Sequence, residues 1–409
     1  MQVSERRWRV VLGIGMLTGC LVAESVVAAD WPYFRGPNHD GISTESAWRK
    51  NWDVAPPRQL WQSSVGVGFS GISVAGERVI TLGHVGGEDV VVCLEAKSGR
   101  KLWEHRHDSD LGAKFYIGGP GSTPTIDVES GRVFVVGKWG KVFALGLEDG
   151  REHWSRDLTS DYDLAIPDWG FDGSALLLGD RLILNLGQGG IALAADSGKT
   201  RWASDPSEAG YSTPVPFSGG VIVSSGESYS AVKVDSGEVV WTIPWFTRYG
   251  VNAADPIVWK DRVFVSSGYQ KGCGMFALGT GELEEIWKER RFRTQQNAAL
   301  RLGDFIYGMD GDSSSRATLK CLSWSTGKVL WEDQTFGYGA VSAADGYLIV
   351  LASDGRLGIA KASGDGFEPI VTRSYLESDC WTVPVLANGQ LYCRNSKGTL
   401  ICLDVSLKP

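Results

Sequence analysis

Cys93-Leu94-Glu95-Ala96-Lys97-Ser98-Gly99-Arg100-Lys101-Leu102-Trp103 returns far downstream as Cys321-Leu322-Ser323-Trp324-Ser325-Thr326-Gly327-Lys328-Val329-Leu330-Trp331. Each copy opens on a small residue followed by an aliphatic one, turns at a Gly and closes on a Trp. Between them lie Ala144-Leu145 with Trp154, Ala192-Leu193 with Trp202, Ala231-Val232 with Trp241, and Ala277-Leu278 with Trp287. The aliphatic residue precedes Trp by nine positions in all six, and in five a Gly precedes it by four: Gly99, Gly150, Gly198, Gly237 and Gly327. With Trp61 included, these Trp residues are 39 to 51 positions apart. Self-similarity at such a period marks a repeat architecture and has to be settled before any single element is assigned.

Upstream of each copy sit two more short β-like runs joined by a turn signal, such as Ser122-Thr123-Pro124-Thr125-Ile126 followed by Gly131-Arg132-Val133-Phe134-Val135-Val136. The second run recurs eight times, beginning near Arg78, Arg132, Arg181, Val221, Arg262, Phe305, Tyr347 and Leu391. Each repeat therefore reads as four strands, and four-stranded units at this period make propeller blades. The Gly four before Trp suits a positive-φ hairpin position, and the Trp is large enough to fill the space between blades. The slot ten before Trp holds Cys93, Ala144, Ala192, Ala231, Ala277 and Cys321, with Cys402 matching near the C-terminus, as expected where neighbouring sheets approach closely. Six repeats are complete. A seventh, Tyr338–Val371, has Pro369-Ile370-Val371 where Trp would stand, and the eighth, Trp381–Leu403, stops after its third strand. Gln59-Leu60-Trp61-Gln62 supplies the missing fourth strand. The expectation is an all-β, eight-bladed β-propeller of four-stranded antiparallel blades, closed by an N-terminal strand that completes the last blade. Its divisions would be a signal peptide over 1–29, an N-terminal extension over 30–56, the propeller over 57–405 and a tail over 406–409.

Composition agrees. Of 409 residues 53 are Gly and 17 are Trp, while 22% are charged and 43% hydrophobic, which suits many tight turns around a large core and excludes a disordered chain. A formal charge of −8 argues against a nucleic-acid partner, which would need clustered Lys and Arg. Arg6, Arg7 and Arg9 precede an apolar run from Val10 to Ala23, too short to span a bilayer but suited to a signal peptide. Val27-Ala28-Ala29 offers cleavage after Ala29, and Leu17-Thr18-Gly19-Cys20 offers an alternative in which Cys20 is lipidated. Either way the chain is expected to be exported, periplasmic or extracellular. No other stretch is long enough for a transmembrane helix.

The motif small-Leu-x-x-x-[Ser/Asp/Thr]-Gly-[Lys/Arg]-x-x-Trp resembles the PQQ-like repeat of quinoprotein-type propellers. Asp30-Trp31-Pro32-Tyr33-Phe34-Arg35-Gly36-Pro37-Asn38-His39-Asp40-Gly41 resembles the mature N-terminus of exported PQQ-binding-like propellers of planctomycete-type bacteria. Asn252-Ala253-Ala254-Asp255-Pro256 with Ser267-Gly268-Tyr269, and Cys380-Trp381-Thr382-Val383-Pro384, are similar to further segments of that family. The resemblance covers residues 30–405. In the family's dehydrogenases, pyrroloquinoline quinone (PQQ) sits between a Trp and a disulfide of adjacent cysteines, with a Ca²⁺ cage and a catalytic Asp. This chain has no adjacent cysteine pair and no Cys-x-x-Cys-His haem motif. The resemblance then implies a non-catalytic binding or scaffold protein with no cofactor, similar to the BamB-type propeller lipoprotein that assists outer-membrane β-barrel assembly. The alternative is a PQQ- and calcium-dependent dehydrogenase, with Trp169 or Trp381 stacked on the ring and Asp172 or Asp255 as base.

Other chemical candidates read as structure. His105-Arg106-His107-Asp108 is expected in an inter-blade loop, and Asp161, Asp163, Asp168 and Asp172 lack the order of a calcium loop. Asp310-Gly311-Asp312 reads as a turn. Cys380 and Cys393 are expected to be free, because with Asn388-Gly389 as the turn Cys393 faces Pro384. No catalytic or metal-binding residues are assigned. The ligand-binding candidates ring the channel mouth at the entry to each innermost strand: Phe69, Trp169, Asp172, Tyr211, Asn252, Asp255, Asn297, Tyr338 and Trp381. Aromatics with Asn and Asp suit sugars, peptides or small polar ligands. The expected partner of this monomer is an envelope protein or a glycan.

Overall fold

The structure is a computed structural model and describes residues 29–53, 55–279, 283–311, 316–377 and 379–407. The proposed signal peptide up to Ala28, Cys20 and Asp312 lie outside them. Eight four-stranded antiparallel sheets follow one another along the chain, forming an all-β eight-bladed propeller. Blades one to seven run from Ser73 to Asp108, Thr125 to Asp157, Leu176 to Ala203, Val215 to Pro244, Ile257 to Glu289, Leu300 to Asp333 and Gly339 to Ser374. The eighth holds Val385–Ala387, Gln390–Arg394 and Thr399–Asp404. Its outermost strand is Arg58–Ser64, antiparallel to Thr399–Asp404 with Trp61 opposite Cys402. Among the described residues the one α-helix is the short Leu158–Tyr162, capped by the Asp157 side chain accepting from the Ser160 amide.

Strand chemistry follows position in the blade. Second strands such as Arg132–Val136 are buried almost throughout, because a sheet lies against each of their faces, and they read as unbroken apolar runs. Outermost strands such as Val239–Pro244 alternate exposed and buried, with Trp241 inward. At the seams, Trp61, Trp103, Trp154 and Trp202 donate their indole N–H groups to backbone carbonyls of Ala96, Leu147, Ala195 and Val234 in the next blade, at 2.7–3.0 Å. Trp287 and Trp331 do the same to Trp324 and Ser363. Each of the first five Gly-preceded hairpins thus serves the Trp of the blade before it. Gly99, Gly150, Gly198, Gly237 and Gly327 lie under the rings of Trp61, Trp103, Trp154, Trp202 and Trp287, where a Cβ would overlap the indole. All five also have φ between +67° and +71°.

Two readings of the repeats need correction. Trp287 pairs with Met275, not Ala277, because the fifth hairpin lacks the Gly and closes two residues later. A shift of two keeps the side-chain face, so Met fills the slot intended for a small residue. His105 and His107 lie on the strand Lys101–Asp108 rather than in a loop, and both pack on Phe143 of the next blade. In the seventh blade Val371, opposite Ile359, takes the place of Trp.

The last seam carries an additional tie. Arg394, fully buried in blade eight, donates to Ser70 O, Thr81 Oγ1, Leu82 O and Gly68 O at 2.7–3.1 Å, all at the start of blade one. Carbonyl dipoles take the role of a counter-ion, and desolvation lowers the guanidinium pKa to about 10.

Candidate functional site

The innermost strands all run in one direction, so their entry residues ring one face and their far ends meet the other. The chain's own N-terminal segment crosses that far end. Trp31 bridges to Val74, Pro32 O accepts from the Ile126 amide, Arg35 Nη2 donates to Ala299 O, and Gly41 O accepts from the Ala343 amide. Ile42–Ser43 then adds a parallel strand to Gly339–Ala344. The segment turns sharply at Gly36 (φ +80°), where a Cβ would strike the Trp31 ring. It touches blades one, two, six and seven and makes the channel blind. The block Asp30–Gly41, read from the sequence only as a family signature, is therefore a plug. Its unusual density of aromatics in a stretch without strand alternation was the available signal.

Above the plug is a cavity of about 720 Å³, within the range of small-ligand sites. Trp31, Phe34 and Arg35 form its floor. Phe69 and Trp381 stack nearly parallel on one wall, with centroids 5.0 Å apart at 21°. Across the opening Trp169 meets Tyr211 edge-on at 6.0 Å, and Tyr249 meets Tyr269 at 5.0 Å.

Two carboxyls line this space. Asp255 is buried and accepts from the Thr213 amide at 2.9 Å. Desolvation pushes its pKa up to about 6, although Arg35 and that amide pull the other way. Asp172 has an Oδ1 that is buried without a formed hydrogen bond, with Lys138 Nζ standing 3.8 Å off. Its pKa too is raised by burial, against the opposing pull of Lys138 and the Gly121 amide. Lys138 is itself buried and donates to the Tyr116 hydroxyl at 2.8 Å. Burial pulls its pKa down, but Asp172 and Tyr116 more than offset that and the ammonium is held charged.

Of the nine mouth residues read from the sequence, Phe69, Trp169, Asp172, Tyr211, Asp255, Asn297 and Trp381 line the cavity. Asn252 does not. Its amide donates to Ser225 O and Trp245 O and accepts from Ser267 Oγ, each at 2.9 Å, so it is a fully satisfied strut behind the wall. Tyr338 likewise backs Trp381, edge-on at 5.5 Å, and donates to Gln296. The sequence reading missed Arg35, Tyr116 and Lys138, which carry no repeat signature. The aspartates that the sequence reading set aside as a calcium site are dispersed: Asp161 pairs with Arg156, Asp168 with Lys114 at the rim, and Asp172 faces Lys138. Among the described residues no group of three His, Cys, Asp or Glu side chains could hold a metal ion. Cys380 and Cys393 are free and buried.

Several large apolar side chains stand exposed on the same face. Phe115 and Phe246, 92% and 59% accessible, project from the connections that lead into the mouth, with Ile117, Ile166 and Tyr249 in similar connections. No helix among the described residues is long and apolar enough to cross a membrane.

A family model described as outer membrane protein assembly factor BamB matches residues 50–193 and 245–333. An outer membrane protein assembly factor BamB from Burkholderia pseudomallei is 26% identical over 302 residues, 68% of this chain and 70% of its own. The crystal structure of BamB from Moraxella catarrhalis superposes with a TM-score of 0.64 at 18% identity, covering 87% of this chain and 99% of that one. Quinohemoprotein alcohol dehydrogenase from Comamonas testosteroni gives 0.68 at 12% identity over 93% and 81%. At these identities the structures share the fold, and the fold alone does not separate a scaffold from an enzyme.

Proposed function

We propose, from the premise that this chain belongs to the family described as outer membrane protein assembly factor BamB, that it is an exported, envelope-associated propeller that carries out no chemistry and holds a protein partner on its open face. The observation that carries this reading is the apolar rim of Phe115, Ile117, Ile166, Phe246 and Tyr249 on that face. Such a patch is costly to leave in water and is the common mark of a protein-binding surface.

The channel does not fit the quinone-dependent alternative. Cys380 has no adjacent cysteine with which to form the platform, and its thiol donates to Glu377 O. The described residues offer no carboxylate group suited to Ca²⁺.

The test is capture from an envelope fraction with the mature chain, identification of the bound protein, and reconstitution with that protein purified. A one-to-one complex weakened about tenfold or more by Phe246→Ser with Tyr249→Ser supports the reading. A complex indifferent to both rim substitutions refutes it. So does alcohol-dependent dye reduction after incubation with PQQ and Ca²⁺.

A further inference from the structure

The cavity holds more hydrogen-bonding capacity than a docking surface needs, and its charges say what it accepts. Arg35 and two carboxyls, Asp255 and Asp172, line it, and the buried Lys138 ammonium stands behind Asp172, so that each carboxyl has a cation near it. At the rim Lys114 and Asp168 pair at 3.1 Å. With Lys138 counted behind the wall, the charges balance. An anionic ligand would meet Asp172 and Asp255 at short range, and a cationic one would meet Arg35 and the field of Lys138 behind Asp172, so neither charge sign is favoured in a site sheltered from water.

A neutral ligand must still answer two features. One is the Asp172 carboxyl, 31% exposed, which lines the cavity with the Lys138 ammonium 3.8 Å behind it and offers its accessible oxygen to a donor. Asp255 shows only the Thr213 amide on its carboxyl and faces the same space. The other is the aromatic wall, with Phe69 and Trp381 in a near-parallel stack and Trp169 across from them. A flat apolar ligand would satisfy the rings and cover the accessible carboxylate oxygen without offering it a donor. A small polar ligand would do the reverse. A saccharide does both, because one molecule carries hydroxyl donors on its edges and C–H faces that lie on aromatic rings.

We propose that the plugged channel is a binding site for a neutral saccharide, seated against Phe69, Trp169 and Trp381 with a hydroxyl donating to the accessible oxygen of the Asp172 carboxyl and the far end stopped by Trp31 and Phe34. The site takes the end of a chain rather than its middle, because the N-terminal segment blocks the way through. Lys138 and Tyr116 are positioning residues that hold the Asp172 carboxyl in place. The inference goes beyond the protein-docking reading: the rim side chains carry that one, and the channel interior carries this.

The experiment titrates the mature chain with three neutral trisaccharides, cellotriose, maltotriose and chitotriose, followed by Trp fluorescence and saturation-transfer NMR. Trigalacturonic acid and a trimer of glucosamine serve as the charged arms. At least one neutral trisaccharide is expected to bind with a millimolar or tighter Kd, with its C–H protons saturated from aromatic resonances. Asp172→Asn and, independently, Trp169→Ala should each weaken binding about tenfold or more while leaving the folded state, read by circular dichroism at the titration temperature, and capture of the rim partner unchanged. Failure of all three neutral probes at millimolar concentration overturns the proposal. Tighter binding of either charged trimer, or binding unaffected by both substitutions, overturns it as well. Loss of partner capture by Phe246→Ser with saccharide binding intact would leave the two sites separate, as expected.

Discussion

At the seams between blades the same few atoms recur, whereas the groups that face the channel change from blade to blade without a pattern. Trp61, Trp103, Trp154 and Trp202 each cover a Gly of the next blade and donate to a carbonyl three residues before it. Facing inward, blade one offers Phe69, blade three Asp172, blade five Asp255, blade six Asn297 and blade eight Trp381. A ring closes only if its wedges are alike, so the packing problem is posed eight times and at five seams answered with one Trp-over-Gly motif. A ligand has no eightfold symmetry, so nothing makes the lining repeat. Where the chain repeats itself it is solving geometry, and where it stops repeating it is free to recognise something.

The closing seam is the point at which this contrast breaks most severely. Truncation of the mature chain through Ser64 removes the strand Arg58–Ser64, leaves Thr399–Asp404 as an open edge beside Arg394, and uncovers Gly99. Unpaired edge strands template association, and the last blade loses the strand that joins the ends of the ring. Most of the folding stability should vanish or the protein should aggregate, as read by thermal unfolding with light scattering. An unchanged melting temperature would mean that the ring does not depend on its clasp.

A finer test separates the seam from the turn that serves it. Gly150 (φ +68°) and Gly131 (φ +65°) have nearly the same backbone strain, but a Cβ on Gly150 would lie 2.5 Å from the Trp103 ring, and one on Gly131 would meet nothing within 4 Å. Gly131→Ala should therefore cost about 1 kcal/mol, the conformational term alone. Gly150→Ala should cost about 2–4 kcal/mol, because it adds overpacking at a close contact. Equal losses in urea unfolding would show that the hairpin, and not the indole above it, demands the glycine.

The same division explains what could be read in advance. Blade number, strand order and the role of Trp61 were legible because each rests on a spacing repeated many times. The fifth repeat was misread at Ala277 since its missing Gly changes the hairpin by two residues, a shift that leaves the apolar alternation intact and hence invisible. His105 and His107 were placed in a loop because polar residues after Trp mimic a turn, yet the strand continues and buries them on Phe143. At the mouth, position along each repeat identified most of the lining. It did not distinguish Asn252, whose hydrogen bonds all point into the wall, from Asp172, whose carboxyl faces the cavity. The aromatic density of Asp30–Gly41 marked it as unusual, but its place across the channel was not legible because its partners lie in blades far along the chain, at Val74, Ile126, Ala299 and Ala343.

If the seams stabilise and the channel recognises, a channel group should be found that stability alone would not retain, and Asp255 is that group. Its folded pKa is raised from 3.8 to about 6, chiefly by desolvation, with Arg35 and the Thr213 amide opposing. Between those values the folded protein binds a proton that the unfolded chain has released, so the contribution of Asp255 to stability is most favourable below about pH 4 and declines as pH rises through 6. At pH 7 the ionised carboxyl should then cost on the order of 2–3 kcal/mol. Asp255→Asn keeps an oxygen for the Thr213 amide and cannot ionise. It should be more stable than the parent at pH 7, with the difference shrinking towards zero as pH falls to 4, a comparison that cancels every other titrating group. Urea unfolding of both proteins across that range measures it. A difference that stays flat with pH would place Asp255 among the structural residues and remove the contrast between seam and channel at its most exact point.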